Sequence, residues 1–122
     1  MKPIAELMPP SDFQQGDVVR VPFPYSDRNT RQHRPALVVS NGAIGEGNAL
    51  LWVVMITSAE NRPWVGDVSL GRFYQEAGLP APSVIRTVKV TTIEAAHAQQ
   101  LGRINPALMA EVGDQLKKHL GV

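Results

Sequence analysis

Two apolar runs constrain this chain more than anything else in it. They are Arg34-Pro35-Ala36-Leu37-Val38-Val39-Ser40-Asn41 and Leu50-Leu51-Trp52-Val53-Val54-Met55-Ile56-Thr57-Ser58. Each is too short and too rich in β-branched residues for a buried helix, so each predicts a buried β-strand. The segment between them, Gly42-Ala43-Ile44-Gly45-Glu46-Gly47-Asn48, carries three glycines and reads as a loop. If the two strands are antiparallel neighbours, Arg34 at the start of one lies at the same sheet edge as Thr57 and Ser58 at the end of the other. A fixed guanidinium beside fixed hydroxyls, held on rigid strands, suits a phosphate group.

With 122 residues, a single domain is expected. No apolar stretch is long enough for a spanning helix, and the first ten residues lack the apolar core of a signal peptide. The chain has no cysteine, which excludes disulfides and thiolate metal sites. These features predict a soluble cytoplasmic protein with no membrane partner. Twelve Lys and Arg nearly balance eleven Asp and Glu, so any basic footprint for nucleic acid must be local.

Residues 1–15 hold three prolines and no clear period, and read as an N-terminal arm before a domain spanning 16–122. Asp17 to Phe23 alternates as a half-buried strand, with Pro22 marking an edge or a strand end. Pro24 to His33 is a polar loop carrying Tyr25, Arg28, Arg31 and His33. Cations interleaved with an aromatic ring fit single-stranded nucleic acid, although a solvated hairpin tip has the same composition. A second polar loop, Ala59 to Gly66, leaves directly from Thr57 and Ser58. There Asn61 and Arg62 are candidates to touch RNA, and Trp64 either stacks on a base or caps the core or an interface. Asp67 to Leu70 reads as a short strand, and Gly71 to Pro82 as an irregular, exposed connection.

Ser83 to Thr92 is a further strand, with Val84, Val88 and Val90 on one face. Arg86 falls on the apolar parity. Either the strand leaves the core there or a bulge resets the phase, and an ion pair is the expected role. Ile93 to Gln100 is read as a helical turn and Leu101 to Ile104 as a last short strand. The closing helix is the clearest element. Asn105 is its N-cap and Pro106 its first residue; Leu108, Met109, Val112, Leu116 and Leu120 form an apolar stripe, and Gly121 terminates it. Periodicity alone thus predicts a mostly β fold with a C-terminal helix.

Taken in order, Gly16-Asp17-Val18-Val19, Arg34 to Ser40, Ile56-Thr57-Ser58, Pro82-Ser83-Val84-Ile85 and Leu101-Gly102-Arg103 resemble the MazF/PemK family of bacterial toxins. The resemblance covers roughly residues 16–120. It implies an SH3-like small β-barrel with a C-terminal helix, pairing as a homodimer. It also implies an endoribonuclease that cleaves single-stranded RNA without metal or other cofactor and is neutralised by a cognate antitoxin. In such a reaction the 2′-OH attacks the adjacent phosphorus and leaves a 2′,3′-cyclic phosphate.

The family's catalytic arginine and threonine correspond to Arg34 and Thr57. Ser58 is a candidate for support as a second hydrogen-bond donor, and His33 as a proton carrier, since histidine titrates in the useful range. Arg28, Arg31, Asn61, Arg62 and Lys89 are candidate RNA contacts. Arg34 can also be read as a strand-end salt bridge and Thr57 as an ordinary strand threonine. The chain departs from the family where many members carry Asp-Gln-Ile-Arg-Thr; here the stretch is Val88-Lys89-Val90-Thr91-Thr92, which bears on RNA sequence preference. His33, His97 and His119 are far apart in the chain and form no ligand-spaced pair. Two other functions fit the same fold: a toxin that poisons DNA gyrase, which relies on a C-terminal aromatic tail where this chain has His119-Leu120-Gly121-Val122, and a module that binds RNA or a partner without turnover.

Overall fold

The computed structural model describes residues 12–24 and 31–122. Both apolar runs are strands at the centre of a six-stranded antiparallel sheet. In chain order the strands are β1 (Asp17–Pro24), β2 (Arg31–Val38), β3 (Leu50–Ser58), β4 (Asp67–Ser69), β5 (Ser83–Glu94) and β6 (Gln99–Arg103), followed by helix α1 (Pro106–Leu120). Across the sheet the order is β4-β5-β3-β2-β1-β6. Arg28 lies outside the described residues, as do Tyr25 and the first eleven residues of the expected arm. Packing has begun by Phe13, which is buried against Val19, Val21 and Leu51.

The central strands read as continuous apolar runs because both of their faces are covered. On one face Val18, Leu37, Val54, Ile56 and Ile85 pack with Ile104, Leu108 and Val112 beneath α1. On the other, Val19, Val21, Ala36, Val38, Val53 and Met55 pack with Phe13, Phe23 and Ile93. β1, expected to be half-buried, is therefore buried on both sides at Val18 and Val19. Pro22 falls where β6 no longer pairs with β1, since that pairing covers only Asp17 to Arg20, and so its missing N–H is harmless.

The expected barrel is incomplete, because β4 and β6 end the sheet without pairing to each other. The seam is bridged by the segment after β4, where the Arg103 N–H donates to the Glu76 carbonyl at 3.4 Å. Two glycines permit this approach. A Cβ on Gly102 would lie 2.5 Å from the Ala77 carbonyl carbon, and one on Gly78 would collide with the Leu101 carbonyl. The connection 71–82, expected to be irregular and exposed, buries Ala77 and Leu79 in the core under α1. At the β6 edge, buried Asp17 accepts from Arg103 Nη1 at 2.6 Å and from the Gln14 N–H at 2.9 Å.

The helix follows its sequence signals. Asn105 Oδ1 accepts from the Leu108 N–H at 2.9 Å, Pro106 opens the first turn, and Gly121 closes the helix in the left-handed region at φ 77°. Leu120 falls outside the stripe's contact with the sheet and is exposed. The turn expected over 93–100 is shorter: β5 runs to Glu94, a single 3-10 turn covers Ala95–His97, and β6 starts at Gln99.

Candidate functional site

β2 and β3 pair through Ala36↔Met55, Leu37↔Val54 and Val38↔Val53. Beyond Ala36 the ladder stops at Pro35, which has no N–H to donate. Two residues further along the same register, Arg34 and Thr57 stand across the gap. The ladder ends here, and an open cleft of about 250 Å³ is lined by Arg34, Pro35, Ile56, Thr57, Ser58 and residues 79–83. Arg34 is anchored on its other side, opposite Val21 in β1. Arg34, Thr57 and Ser58, singled out in the sequence, thus line one cleft.

Thr57 is 6% exposed, and its hydroxyl has a defined neighbour: the Asn61 side-chain amide donates to Thr57 Oγ1 at 2.6 Å. Ser58 is exposed, and its Oγ accepts from the Glu60 N–H at 3.1 Å, tightening the turn in which the Asn61 N–H donates to the Ser58 carbonyl at 3.1 Å. Both hydroxyls act as acceptors within the loop, so each retains its proton to donate elsewhere.

The rest of the second polar loop folds over the sheet face that Thr57 shares with Arg86. Successive strand residues alternate faces, and Met55↔Arg86 and Asp67↔Arg86 are cross-strand pairs, so Thr57, Arg86 and Asp67 point the same way. Arg86 Nε and Nη2 donate to the two Asp67 carboxylate oxygens at 3.2 and 3.0 Å. The same Nη2 donates to the Arg62 carbonyl at 2.9 Å, and the guanidinium carbon lies 4.2 Å from the Trp64 ring centroid. Asp67 Oδ2 also accepts from the Trp64 N–H at 2.9 Å. Arg86 is thus a structural ion pair, as expected, and also a clamp on the loop beside the cleft.

The phase question raised by Arg86 has its answer in β5. Opposite Val54 and Met55, β5 passes from Val90 directly to Arg86, so Thr87, Val88 and Lys89 form a bulge. The bulge breaks the alternation on which the Val84, Val88 and Val90 face was predicted. Val88 and Val90 are in fact 46% and 52% exposed. The bulge also anchors the end of the loop. The Thr87 hydroxyl donates its single proton to the Gly66 carbonyl at 2.6 Å, so His119 Nε2, 2.9 Å from the same oxygen, must carry the proton that joins them.

The remaining candidates are placed less centrally. His33 is exposed on β2 opposite Pro22 and does not line the cleft; as Arg34's neighbour in the strand, it faces the other way. Arg31 begins β2, and its side chain lies outside the described residues. The Arg62 side chain is exposed. Lys89 is exposed on the bulge with its Nζ 6.0 Å from the Trp64 ring centroid. Trp64 stacks on the Arg86 guanidinium of its own chain. The Asn61–Thr57 contact and the clamp by Arg86 were missed in the sequence. The only signal for them was the direct exit of the loop from Thr57 and Ser58. Among the described residues no three His, Cys, Asp or Glu side chains gather in a way that could hold a metal ion, and no helix is long and apolar enough to cross a membrane.

These features define a small antiparallel β protein with a terminal helix and an open cleft lined by Arg34, Thr57 and Ser58. The chain belongs to the family of PemK-like, MazF-like toxins of type II toxin-antitoxin systems, whose model matches residues 14–120. The resemblance carried by the ordered motifs is borne out. Among solved structures, MazF from Deinococcus radiodurans matches with a TM-score of 0.70 and 25% identity, over 90% of this chain and 97% of that one. A MazE-MazF complex from the same organism matches with a TM-score of 0.71 and 22% identity, over 90% and 97% of the two chains. An endoribonuclease in complex with its cognate antitoxin from Mycobacterial species matches with a TM-score of 0.70 and 23% identity, over 90% and 96%. At their identities the two complexes speak for the fold alone. No curated protein matches the chain in sequence.

Proposed function

We propose that this protein is an endoribonuclease toxin that cuts single-stranded RNA by attack of the 2′-OH on the adjacent phosphorus, giving a 2′,3′-cyclic phosphate and a free 5′-OH. The observation that carries the reading is the shared cleft of Arg34 and Thr57. RNA supplies its own nucleophile, so the protein has to hold the phosphate in line and stabilise charge on its non-bridging oxygens. Arg34, permanently charged and able to engage two oxygens at once, takes the larger share. The Thr57 hydroxyl, and behind it that of Ser58, donates to a non-bridging oxygen. A preorganised donor of this kind contributes on the order of 3 kcal/mol in oxyanion sites.

The proton lost by the 2′-OH and the proton gained by the 5′ oxygen balance. Among the described residues lining the cleft there is no carboxylate and no histidine; on this reading water carries both protons and His33 stands outside the mechanism. No cofactor is asked for. Arg28, Arg31, Arg62 and Lys89 serve as backbone contacts along the bound strand. The partners are a second copy of the chain and an antitoxin that silences it; exposed Trp52, Val88 and Val90 leave apolar surface for a protein partner.

The test is purified protein with single-stranded RNA in EDTA. Fragments with cyclic-phosphate ends, abolished by Arg34→Ala, are expected. RNA left intact at high protein concentration overturns the proposal.

A further inference from the structure

We infer that Asn61 is a positioning residue, whose side-chain amide sets the direction of the Thr57 hydroxyl proton toward the cleft. The inference deepens the proposed cleavage reading and rests on it. A threonine hydroxyl has one proton and two lone pairs, and it rotates to suit its partners. At 2.6 Å the Asn61 amide N–H occupies one lone pair of Thr57 Oγ1. A proton turned toward that nitrogen would meet another proton, so this orientation is lost. The hydroxyl proton is left to point elsewhere, and the open side of Thr57 is the cleft it shares with Arg34.

The amide can act this way only if its own position is fixed, and the loop that carries it is held on both sides. Before Asn61, Ser58 closes the turn through its carbonyl and its hydroxyl. After it, the Arg86 guanidinium takes the Arg62 carbonyl and stacks on Trp64. Arg86 itself is locked by the two oxygens of Asp67. A cross-strand ion pair two strands away from Arg34 thus fixes the geometry of a hydroxyl in the cleft. Such remote support is how a donor is aimed before substrate arrives. Asn61 was expected from the sequence to touch RNA directly. The geometry gives it a different task, because one of its amide N–H groups is already engaged with Thr57 Oγ1.

The experiment is steady-state cleavage of a short fluorogenic RNA by wild type, Asn61→Ala, Thr57→Val and the double variant, with a melting curve for each. Asn61 is exposed, so the alanine variant is expected to fold with an unchanged melting temperature. Its kcat should fall roughly tenfold, the scale of one lost orienting hydrogen bond, while KM stays put. In the Thr57→Val background, where there is no hydroxyl to orient, Asn61→Ala should cost nothing further. The Asn61 side-chain amide resonances should also shift in Thr57→Val. A raised KM with unchanged kcat assigns Asn61 to RNA binding and overturns the inference, as do additive effects in the double variant or unmoved resonances. Wild-type protein that leaves RNA intact overturns the cleavage reading and this inference with it; wild-type cleavage with Asn61→Ala at full rate overturns the inference alone.

Discussion

Asp67→Ala strands the Arg86 guanidinium where water scarcely reaches. The two side chains are 8% and 9% exposed, and both carboxylate oxygens of Asp67 are engaged by Arg86. Removing one partner of such a pair costs about 3–5 kcal/mol, because the survivor remains buried with its charge uncompensated. Here the cost should sit at the lower end, near 3 kcal/mol, because Arg86 keeps the Arg62 carbonyl and the Trp64 ring, and a desolvated cation–π contact offsets about 1–2 kcal/mol. For a domain of this size that lowers the melting temperature by about 12 °C. In urea it moves the midpoint down by roughly 1.5 M with the slope unchanged.

The companion measurement replaces both partners, Asp67→Leu with Arg86→Met. Well-packed apolar residues in place of a buried pair are often neutral or better. The double variant should therefore recover all but about 1 kcal/mol, the remainder being the lost acceptor for the Trp64 N–H. Equilibrium urea unfolding followed by far-UV circular dichroism on wild type, Asp67→Leu, Arg86→Met and the double variant gives the coupling energy, expected to be at least about 2 kcal/mol. If Asp67→Ala costs less than about 1 kcal/mol, or the two changes simply add, the pair behaves like an exposed surface bridge and the clamp described above carries no weight.

Other consequences are quicker to check. Gly102→Ala places a methyl group against the Ala77 backbone at 2.5 Å, which side-chain rotation cannot relieve; thermal melts should show a loss of at least about 3 kcal/mol, the upper range for overpacking. Asn105→Ala removes the cap of α1 and should cost about 1 kcal/mol in the same assay. Thr57→Val should reduce kcat for RNA cleavage by about 100-fold or more while leaving stability within about 1 kcal/mol. His33→Ala should leave the pH–rate profile of cleavage where it is, since the side chain does not line the cleft; a displaced limb of that profile would put the histidine back into the reaction.

What could be read from the sequence was what local chemistry decides. Val- and Ile-rich runs, an Asn-Pro start and a Gly stop each act over a few residues, and β2, β3 and α1 follow them closely. The convergence of Arg34 with Thr57 was also legible, because antiparallel pairing of two recognisable runs fixes which ends meet. The bulge at Thr87 to Lys89 was legible only as one of two explanations for Arg86 on the apolar parity, since alternation read forward from Val84 does not say which residues leave the ladder. The double burial of β1 was hidden for a related reason: exposed Arg20 and half-exposed Pro22 imitate an outer face, although Val18 on that parity is fully enclosed. The contact of Asn61 with Thr57 depends on how a loop folds back, which Arg86 decides from another strand. The seam at Gly78 and Gly102 brings together residues whose proximity no spacing rule announces.

Five successive positions of β3, Val53 through Thr57, are buried. Anyone attaching a reporter group to this molecule should therefore leave that stretch alone and work from its flank. Trp52 is the place, with half its surface already in solvent. Because the chain has no cysteine of its own, one engineered thiol there can be labelled singly and left to sense whatever approaches that part of the sheet.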